Sequence, residues 1–399
     1  MGAKEPITGS TVKEIQVREQ TDRLPLRGES EAFQTLGELR ELMSQWTASG
    51  DADRLWKAVR EPGQMPLLFG DTVAVFFYRG TATSVEARGD FELRYRRLGR
   101  TDVWWAQGEF EPDARVEYRQ RLGARRWQLD PLNPLVETGG MGSESVVMMP
   151  GYVPPPWTQL PRPAVRGRLG RNITLASQSL GYDVNVRIYR PHGYEMLHAL
   201  PSIYVVDGQE YADPQMGAMV QALDYLIAGG RVEPVIAVFI DARDPHTGRN
   251  RREEEFRRRR LDDNPLGEFI AEELVPLVDK KWRAKASAGS RALAGFSFGG
   301  MFAAHMGLAY PDVFGKVAIQ SPYIVRRWVL DTYRLAERRP LEIFLSHGTY
   351  DEGASSLRLR EILVARGYRV RYVERHEGHS FGMVRSQLGD LLTCFFGRG

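Results

Sequence analysis

Residues 293–302 read Leu-Ala-Gly-Phe-Ser-Phe-Gly-Gly-Met-Phe and carry the most informative pattern in the chain. An apolar run leads into Gly295-x-Ser297-x-Gly299, and the apolar residues that follow predict a helix. Such a tight turn from strand to helix lifts the serine hydroxyl above the edge of a sheet, while the glycines let the backbone pass closely. The helix start would aim N–H groups at a developing oxyanion. The pattern therefore predicts a nucleophilic serine, although an ordinary glycine-rich turn can have the same sequence pattern.

Length and composition indicate a globular chain of more than one domain. The sequence has 399 residues, of which 42% are hydrophobic and 26% charged. A net charge of +3 is too small to predict a nucleic-acid partner. The single cysteine, Cys394, excludes an internal disulfide and a Cys-based zinc site. We expect no metal and no cofactor, no membrane-spanning segment, and, from the polar N-terminus, a cytoplasmic location.

The first part of the chain divides into segments that differ in composition and in the spacing of their apolar residues. Residues 1–29 are polar and predict a loosely ordered tail. Apolar residues recur at helical spacing over 30–61 and predict a helical hairpin. Short strand-like runs, separated by turn residues, occupy 70–134 and predict an Ig-like β-sandwich. We place this helical and sandwich domain at 30–150. Glycines and prolines from residue 135 onward predict a connector, with the interdomain linker at 151–170.

From residue 171 to 399 strand-like runs alternate with helical patterns. The strand-like runs are 171–177, 182–189, 202–207, 235–241, 292–294, 316–319, 341–345 and 368–373. Helical patterns occupy 217–228, 266–282 and 355–366. Apolar, β-branched strands alternating with helices indicate a mostly parallel sheet covered on both faces. Together with the serine turn, this predicts an α/β-hydrolase domain with its chemistry at the carboxyl ends of the strands.

A nucleophilic serine needs a base, and the base needs an acid that orients it. In this fold the chain order is serine, acid, histidine. His379 follows a glycine in the loop after the last predicted strand and is our predicted base, with His376 as its nearest rival. Asp351 lies in the turn after the preceding strand and is our predicted acid, with the adjacent Glu352 left as an alternative. All of them follow Ser297 in the required order.

Two backbone N–H groups are predicted to stabilise the oxyanion. One belongs to Phe298, directly after the serine, and the other to Gln209 in Asp207-Gly-Gln209, directly after an apolar strand. We expect Asp207 to lie at the substrate-binding site and to fix its loop by accepting backbone N–H groups.

Nine stretches carry a resemblance to a known family. They are 204–212, 238–242, 273–277, 295–300 (Gly-Phe-Ser-Phe-Gly-Gly), 348–351 (Gly-Thr-Tyr-Asp) and 377–379 (Glu-Gly-His), preceded by 75–80, 99–105 and 129–134. In these stretches the sequence resembles the enterochelin (enterobactin) esterases, siderophore esterases related more distantly to the esterase D and antigen 85 hydrolases. The resemblance covers most of residues 70–390, including both the N-terminal domain and the hydrolase.

This resemblance implies a serine esterase that hydrolyses the ester bonds of a catecholate trilactone siderophore, with release of the bound iron. By the resemblance Ser297 would attack, His379 would shuttle the proton through an acyl-enzyme cycle, and Asp351 would orient the imidazole. The iron would arrive with the substrate, a small-molecule ester, and neither nucleic acid nor membrane is an expected partner.

Substrate contacts are predicted in two segments. By the resemblance, a catecholate-binding arginine would correspond to Arg251 or Arg252, in the basic run 249–260. This run is also typical of a solvated helix face whose acidic and basic residues pair with one another. Tyr323 and Trp328 are further candidates for contact with the substrate.

Two departures from the family leave other functions open. Asp351 stands where the enterobactin enzymes carry Glu, and residues 320–328 differ from the family's Ser-rich, Trp-containing loop. The alternatives are a carboxylesterase of the feruloyl or acetyl-carbohydrate type, and a non-catalytic binding protein on a hydrolase scaffold.

Overall fold

The computed structural model describes residues 32–140, 142–159, 163–257, 263–323, 327–351 and 353–398. The predicted tail at 1–29, the basic residues 258–260 and Glu352 lie outside these ranges. Within the described ranges, no helix is long and apolar enough to cross a membrane.

The first described elements are the two helices α1 (Leu36–Ser49) and α2 (Ala52–Arg60), in agreement with the predicted hairpin. Thr35 caps α1 in a capping box, because its hydroxyl accepts the Glu38 N–H while the Glu38 carboxylate accepts the Thr35 N–H. Gly50 ends α1 with a φ of 73°.

Ten strands follow in the described part of the N-terminal domain. They are β1 (Leu67–Phe69), β2 (Val73–Arg79), β3 (Val85–Gly89), β4 (Glu92–Arg94), β5 (Arg96–Arg97), β6 (Val103–Glu109), β7 (Arg115–Leu122), β8 (Arg126–Gln128), β9 (Val136–Gly139) and β10 (Gly142–Met148). One antiparallel sheet has the order β1-β2-β6-β5, and the other has the order β4-β3-β7-β10-β9 with β8 beside β7. Phe76 and Tyr118 meet between the two sheets, while Phe77 faces the helical hairpin on the outer side. The predicted β-sandwich is confirmed.

Strands β9 and β10 correct the sequence analysis, which treated residues from 135 onward as a connector. The glycines around residue 140 dominate the composition there. However, β10 pairs with β7 in the register Ser145↔Tyr118 and buries Val146 and Val147. Pairing with a partner distant in sequence, rather than local pattern strength, makes this segment a strand.

The second part of the chain contains the remaining elements. They are α3 (Pro156–Gln159), β11 (Arg168–Leu169), β12 (Ile173–Ala176), β13 (Asp183–Arg190), β14 (Ser202–Val206), α4 (Gly208–Ala212), α5 (Met219–Ala228), β15 (Ile236–Ile240), α6 (Arg252–Phe256), α7 (Pro265–Glu268), α8 (Val275–Lys281), β16 (Arg291–Phe296), α9 (Phe298–Ala309), β17 (Lys316–Gln320), α10 (Arg327–Leu335), β18 (Glu342–Gly348), α11 (Ala354–Ala365), β19 (Arg369–Arg375) and α12 (Phe381–Phe396). A π-helical segment, Phe269–Leu274, joins α7 to α8.

A nine-stranded sheet forms the centre of this part, in the order β11-β13-β15-β14-β16-β17-β18-β19 with β12 beside β13. The strands from β15 to β19 run parallel, and β13 is antiparallel to β15. The predicted α/β-hydrolase fold with a mostly parallel sheet is confirmed. Strand β11 lies inside the predicted linker, yet it pairs with β13 of the large sheet. The predicted domain boundaries stay predictions.

Both faces of the large sheet are covered by helices. Ile203 and Val205 of β14 point into a core formed with α5 and α12, while Tyr204 and Val206 point into a core formed with α8 and α9. Helices α10 and α11 cover β17 and β18. Because the parallel strands end at the same edge, the loops after β14, β16, β18 and β19 are gathered there.

Candidate active site

Ser297 occupies a strained turn between β16 and α9. Its φ of 60° and ψ of −119° lie outside the regions that L-residues ordinarily adopt. The turn is tight, because a Cβ on Gly295 would lie 2.2 Å from the carbonyl oxygen of Gly299. The neighbouring strand holds it: Ser297 N–H donates to Gln320 O at 3.0 Å, and Tyr323 N–H donates to Ser297 O at 3.1 Å. This geometry is that of a nucleophile elbow.

The predicted acid and base lie beside each other and close to this elbow. Asp351 Oδ2 is 2.9 Å from His379 Nδ1. The His379 ring stacks against Phe296, the residue before the serine, with 4.5 Å between ring centroids. A carboxylate beside Nδ1 is the arrangement that a general base for a serine requires, because it leaves Nε2 for the hydroxyl. The structure therefore brings Ser297, Asp351 and His379 together at one edge of the sheet.

The rival base lies in a different environment. His376 Nδ1 is 2.6 Å from Asp113 Oδ1, in the N-terminal domain. His347, the histidine that ends β18, is buried with its Nδ1 2.9 Å from the Tyr372 hydroxyl, and burial lowers its pKa. The structure thus favours His379 as the base. The alternative acid, Glu352, lies outside the described residues.

The two predicted oxyanion donors open two helices. Phe298 is the first residue of α9, and Gln209 is the second residue of α4. N–H groups in the first turn of a helix have no acceptor within that helix. The two helices follow β16 and β14, which are direct neighbours with Val205 opposite Ala294. Both N–H groups are therefore placed at the same edge of the sheet as Ser297.

Asp207 is held by a guanidinium rather than by the backbone N–H groups that the sequence analysis expected. Only 2% of its side chain is exposed, and its two oxygens accept hydrogen bonds from Arg252 Nε at 2.9 and 2.8 Å. Arg252 Nη2 also donates to Phe296 O at 3.1 Å. Burial raises the pKa of Asp207, and Arg252 opposes that rise. Arg252 thus joins the loop after β14 to the nucleophile elbow.

The other predicted catecholate-binding residue is also engaged within the protein. Arg251 Nη2 donates to Asp244 Oδ2 at 2.6 Å, and its guanidinium lies 4.0 Å from the centroid of the Tyr182 ring. The hydrogen bond from Arg251 holds the pKa of Asp244 well below its usual range. Further along the run, Arg257 pairs with Glu253 at 3.0 Å. Within the described part of 249–260, Arg249 and Arg257 thus pair with acids of the same run, as on a solvated helix face, whereas Arg251 and Arg252 pair with acids outside it.

The two aromatic candidates differ in position. The Tyr323 side chain is 43% exposed, and its ring lies 5.3 Å from the Phe298 ring, beside a predicted oxyanion donor. Trp328 is partly buried and packs edge-on against the His305 ring at 4.9 Å, between α10 and α9. Tyr323 is the better placed for a substrate, and contact with either ring stays a prediction.

Known proteins are similar to this chain in sequence and in fold. Residues 177–373, which include Ser297 and Asp351, match the family described as "Putative esterase". An iron(III) enterobactin esterase of Yersinia enterocolitica is 30% identical over 188 residues, covering 38% of this chain and 52% of the relative. An endo-1,4-beta-xylanase/feruloyl esterase of Xylanibacter ruminicola is 28% identical over 164 residues, covering 38% of this chain and 21% of the relative. This chain thus spans about half of the first relative and a fifth of the second.

Among solved structures, the enterobactin esterase FES from Shigella flexneri in the presence of enterobactin superposes with a TM-score of 0.66. It is 22% identical, and the match covers 85% of this chain and 98% of that chain. The fold and these similarities identify an ester-hydrolysing enzyme of the α/β-hydrolase fold. Residues 177–373 match the putative esterase family, and the resemblance to the enterobactin esterases is confirmed.

Proposed function

We propose that the protein is a serine esterase that hydrolyses the ester bonds of a catecholate trilactone siderophore of the enterobactin type and so releases iron. The observation that carries the proposal is the extent of the match to the Shigella enzyme. It covers 85% of this chain, so it includes the N-terminal domain as well as the hydrolase domain. The family match alone, over 177–373, speaks only for an esterase.

In the proposed reaction Ser297 attacks an ester carbonyl while His379 accepts the hydroxyl proton. Asp351 keeps the imidazole in the orientation that this transfer needs. The N–H groups of Phe298 and Gln209 stabilise the oxyanion, and each such donor is worth about 10²–10³ in kcat. His379 returns the proton to the leaving alcohol. The acyl-enzyme is then hydrolysed by the reverse of these steps, with a water molecule in the place of the alcohol.

A carboxylesterase of the feruloyl type is the second candidate, and the Xylanibacter relative favours it. It would use the same residues and the same two-step chemistry. The two candidates differ in what must fit beside Tyr323, since a ferric tri-catecholate is bulky and anionic whereas a feruloyl ester is flat and neutral. The family assignment to esterases disfavours the non-catalytic alternative.

The test is release of 2,3-dihydroxybenzoylserine from apo and ferric enterobactin, followed by mass, with Ser297→Ala beside the wild type. Ser290→Ala is a matched control, because Ser290 lies before β16 at the opposite end of that strand. We expect release by the wild type and the control, and a loss of at least about 10³-fold in Ser297→Ala. Ser297-dependent cleavage of methyl ferulate but not of the trilactone would instead support the second candidate. No Ser297-dependent turnover of either ester would contradict the proposed function.

A further inference from the structure

The loop that carries the predicted base, residues 376–380 between β19 and α12, is bound by the N-terminal sandwich. Asp90, in the turn between β3 and β4, supplies the first contact. Its Oδ1 accepts the His379 N–H at 3.2 Å, and its Oδ2 accepts the Glu117 N–H at 2.7 Å. A Cβ on Gly378 would lie 1.7 Å from Asp90 Cγ, so the carboxyl group rests directly against the loop backbone. Only glycine leaves room for this approach.

Arg115, at the start of β7, supplies the second contact. Its side chain is fully buried, and its backbone N–H donates to His376 O at 2.9 Å. Its guanidinium donates to Ser380 Oγ at 3.3 Å and to Glu117 Oε1 at 2.8 Å, and lies 3.3 Å from Glu137 Oε1. The loop is therefore bound by the sandwich on both sides of His379.

The turn that carries the predicted acid meets the same domain. Tyr350, the residue before Asp351, donates its hydroxyl to the Glu111 carboxylate, and its ring lies 6.1 Å from the Phe110 ring. Tyr350 N–H also donates to Glu377 O at 3.2 Å, which ties the acid turn to the histidine loop. The residues directly before His379 and Asp351 in the sequence, Gly378 and Tyr350, thus both contact the sandwich.

We propose that the N-terminal sandwich acts in the esterase reaction by positioning the His379–Asp351 pair, with Asp90 as the positioning residue for His379. The inference rests on the proposed serine mechanism and gives the sandwich a role that differs from covering the substrate. A domain that only covers the substrate changes KM when its contacts are lost. A domain that positions the base changes kcat, because a displacement of about 1 Å costs about 10²-fold in rate.

The experiment compares Asp90→Ala and Asp90→Asn with the wild type in the full chain. Asp90→Ala removes both acceptors, while Asp90→Asn keeps the size of the side chain and one acceptor oxygen. Asp130 offers a matched control in the same sandwich: it is 2% exposed and accepts the Leu132 N–H at 2.9 Å and the Tyr118 hydroxyl at 2.8 Å. Asp130→Asn therefore perturbs the sandwich through groups that do not belong to the histidine loop.

Two readouts are needed: kcat and KM on p-nitrophenyl acetate, and hydrogen exchange of the 376–381 amides by mass spectrometry. We expect Asp90→Ala to lower kcat about 10–100-fold with KM within about twofold, and to speed exchange in 376–381. Asp90→Asn should show a smaller change in both. Asp130→Asn should keep kcat within about threefold and leave exchange in the loop unchanged.

Unchanged exchange in both Asp90 variants would overturn the inference, as would faster exchange with an unchanged kcat. An equal loss of kcat in Asp130→Asn would also overturn it, since the effect would then reflect sandwich stability. If Asp90→Ala does not fold, Asp90→Asn decides the question alone. If the wild type shows no Ser297-dependent turnover, the proposed function fails separately. The exchange data would then still decide whether Asp90 holds the loop.

Discussion

Replacing Arg252 by Gln separates a structural role of this residue from the substrate-binding role that the sequence analysis predicted for it. Its side chain is 24% exposed and makes two hydrogen bonds to the Asp207 carboxylate and one to the Phe296 carbonyl. If these contacts are its function, the substitution should destabilise the fold and disturb the elbow whatever the substrate. If it binds a catecholate, the substitution should weaken binding of the siderophore only.

The expected magnitude follows from the burial of Asp207. Removing one partner of a buried ion pair costs about 3–5 kcal/mol, because the remaining charge stays buried without compensation. Since Arg252 is partly exposed, we expect about 3 kcal/mol for Arg252→Gln. The pKa of Asp207, already raised by burial, should rise further because the opposing charge is gone. The deficit in stability should therefore shrink at low pH, where the carboxyl is protonated in both folded and unfolded chains.

The assay combines urea unfolding of Arg252→Gln, Asp207→Asn and the double variant with kcat and KM on p-nitrophenyl acetate and ferric enterobactin. We expect a coupling energy of about 2 kcal/mol and a fall in kcat on both esters. Arg251→Gln is the matched control, with the same change of charge at the adjacent position and a different partner, Asp244. Wild-type stability and a raised KM for ferric enterobactin alone would refute the structural reading of Arg252.

Two further predictions concern the histidine loop. His376→Ala should keep kcat within about threefold, because His376 pairs with Asp113, whereas His379→Ala should lower it by at least about 10³-fold; equal losses on p-nitrophenyl acetate would contradict the assignment of the base. Burial raises the pKa of Glu377 to about 7 against neighbouring arginines that lower it, so its stabilising contribution is present below about pH 4 and is lost as the pH rises through 7. Glu377→Gln should therefore gain on the order of 3 kcal/mol in unfolding free energy relative to wild type between pH 4.5 and 8. If urea unfolding gives the same difference in free energy between the two proteins at both pH values, this prediction is wrong.

The central strands could be predicted because their burial leaves a strong local signal. Ser202–Val206 and Ile236–Ile240 are buried along their whole length, and such strands appear in the sequence as uninterrupted apolar runs. Gly142–Met148 could not be predicted in this way, because only part of it is buried and its partner β7 is distant in the sequence. The C-terminal helix, Phe381–Phe396, was also not among the predicted helices, although Ser380 caps it by accepting the Met383 N–H.

The candidate site shows the same division between local and tertiary information. The turn at Ser297 could be predicted from neighbouring residues, because the strained serine needs glycines two positions before and after it, at Gly295 and Gly299. The sequence favours His379 over His376 by position alone, and neighbouring residues do not distinguish the two further, since both lie in one loop after one strand. A contact with the N-terminal domain distinguishes the two histidines, because His376 forms a hydrogen bond with Asp113, which is 263 residues away in the sequence. The partner of Asp207 likewise lies 45 residues away, at Arg252.

Gly378 illustrates how a residue in a short local motif has a distant structural cause. In the sequence Glu-Gly-His the glycine is typical of a flexible turn before the predicted base. In the structure it is the point where Asp90, 289 residues away from His379, meets the loop backbone too closely for any Cβ. A hydrolase domain alone would give this glycine no such reason.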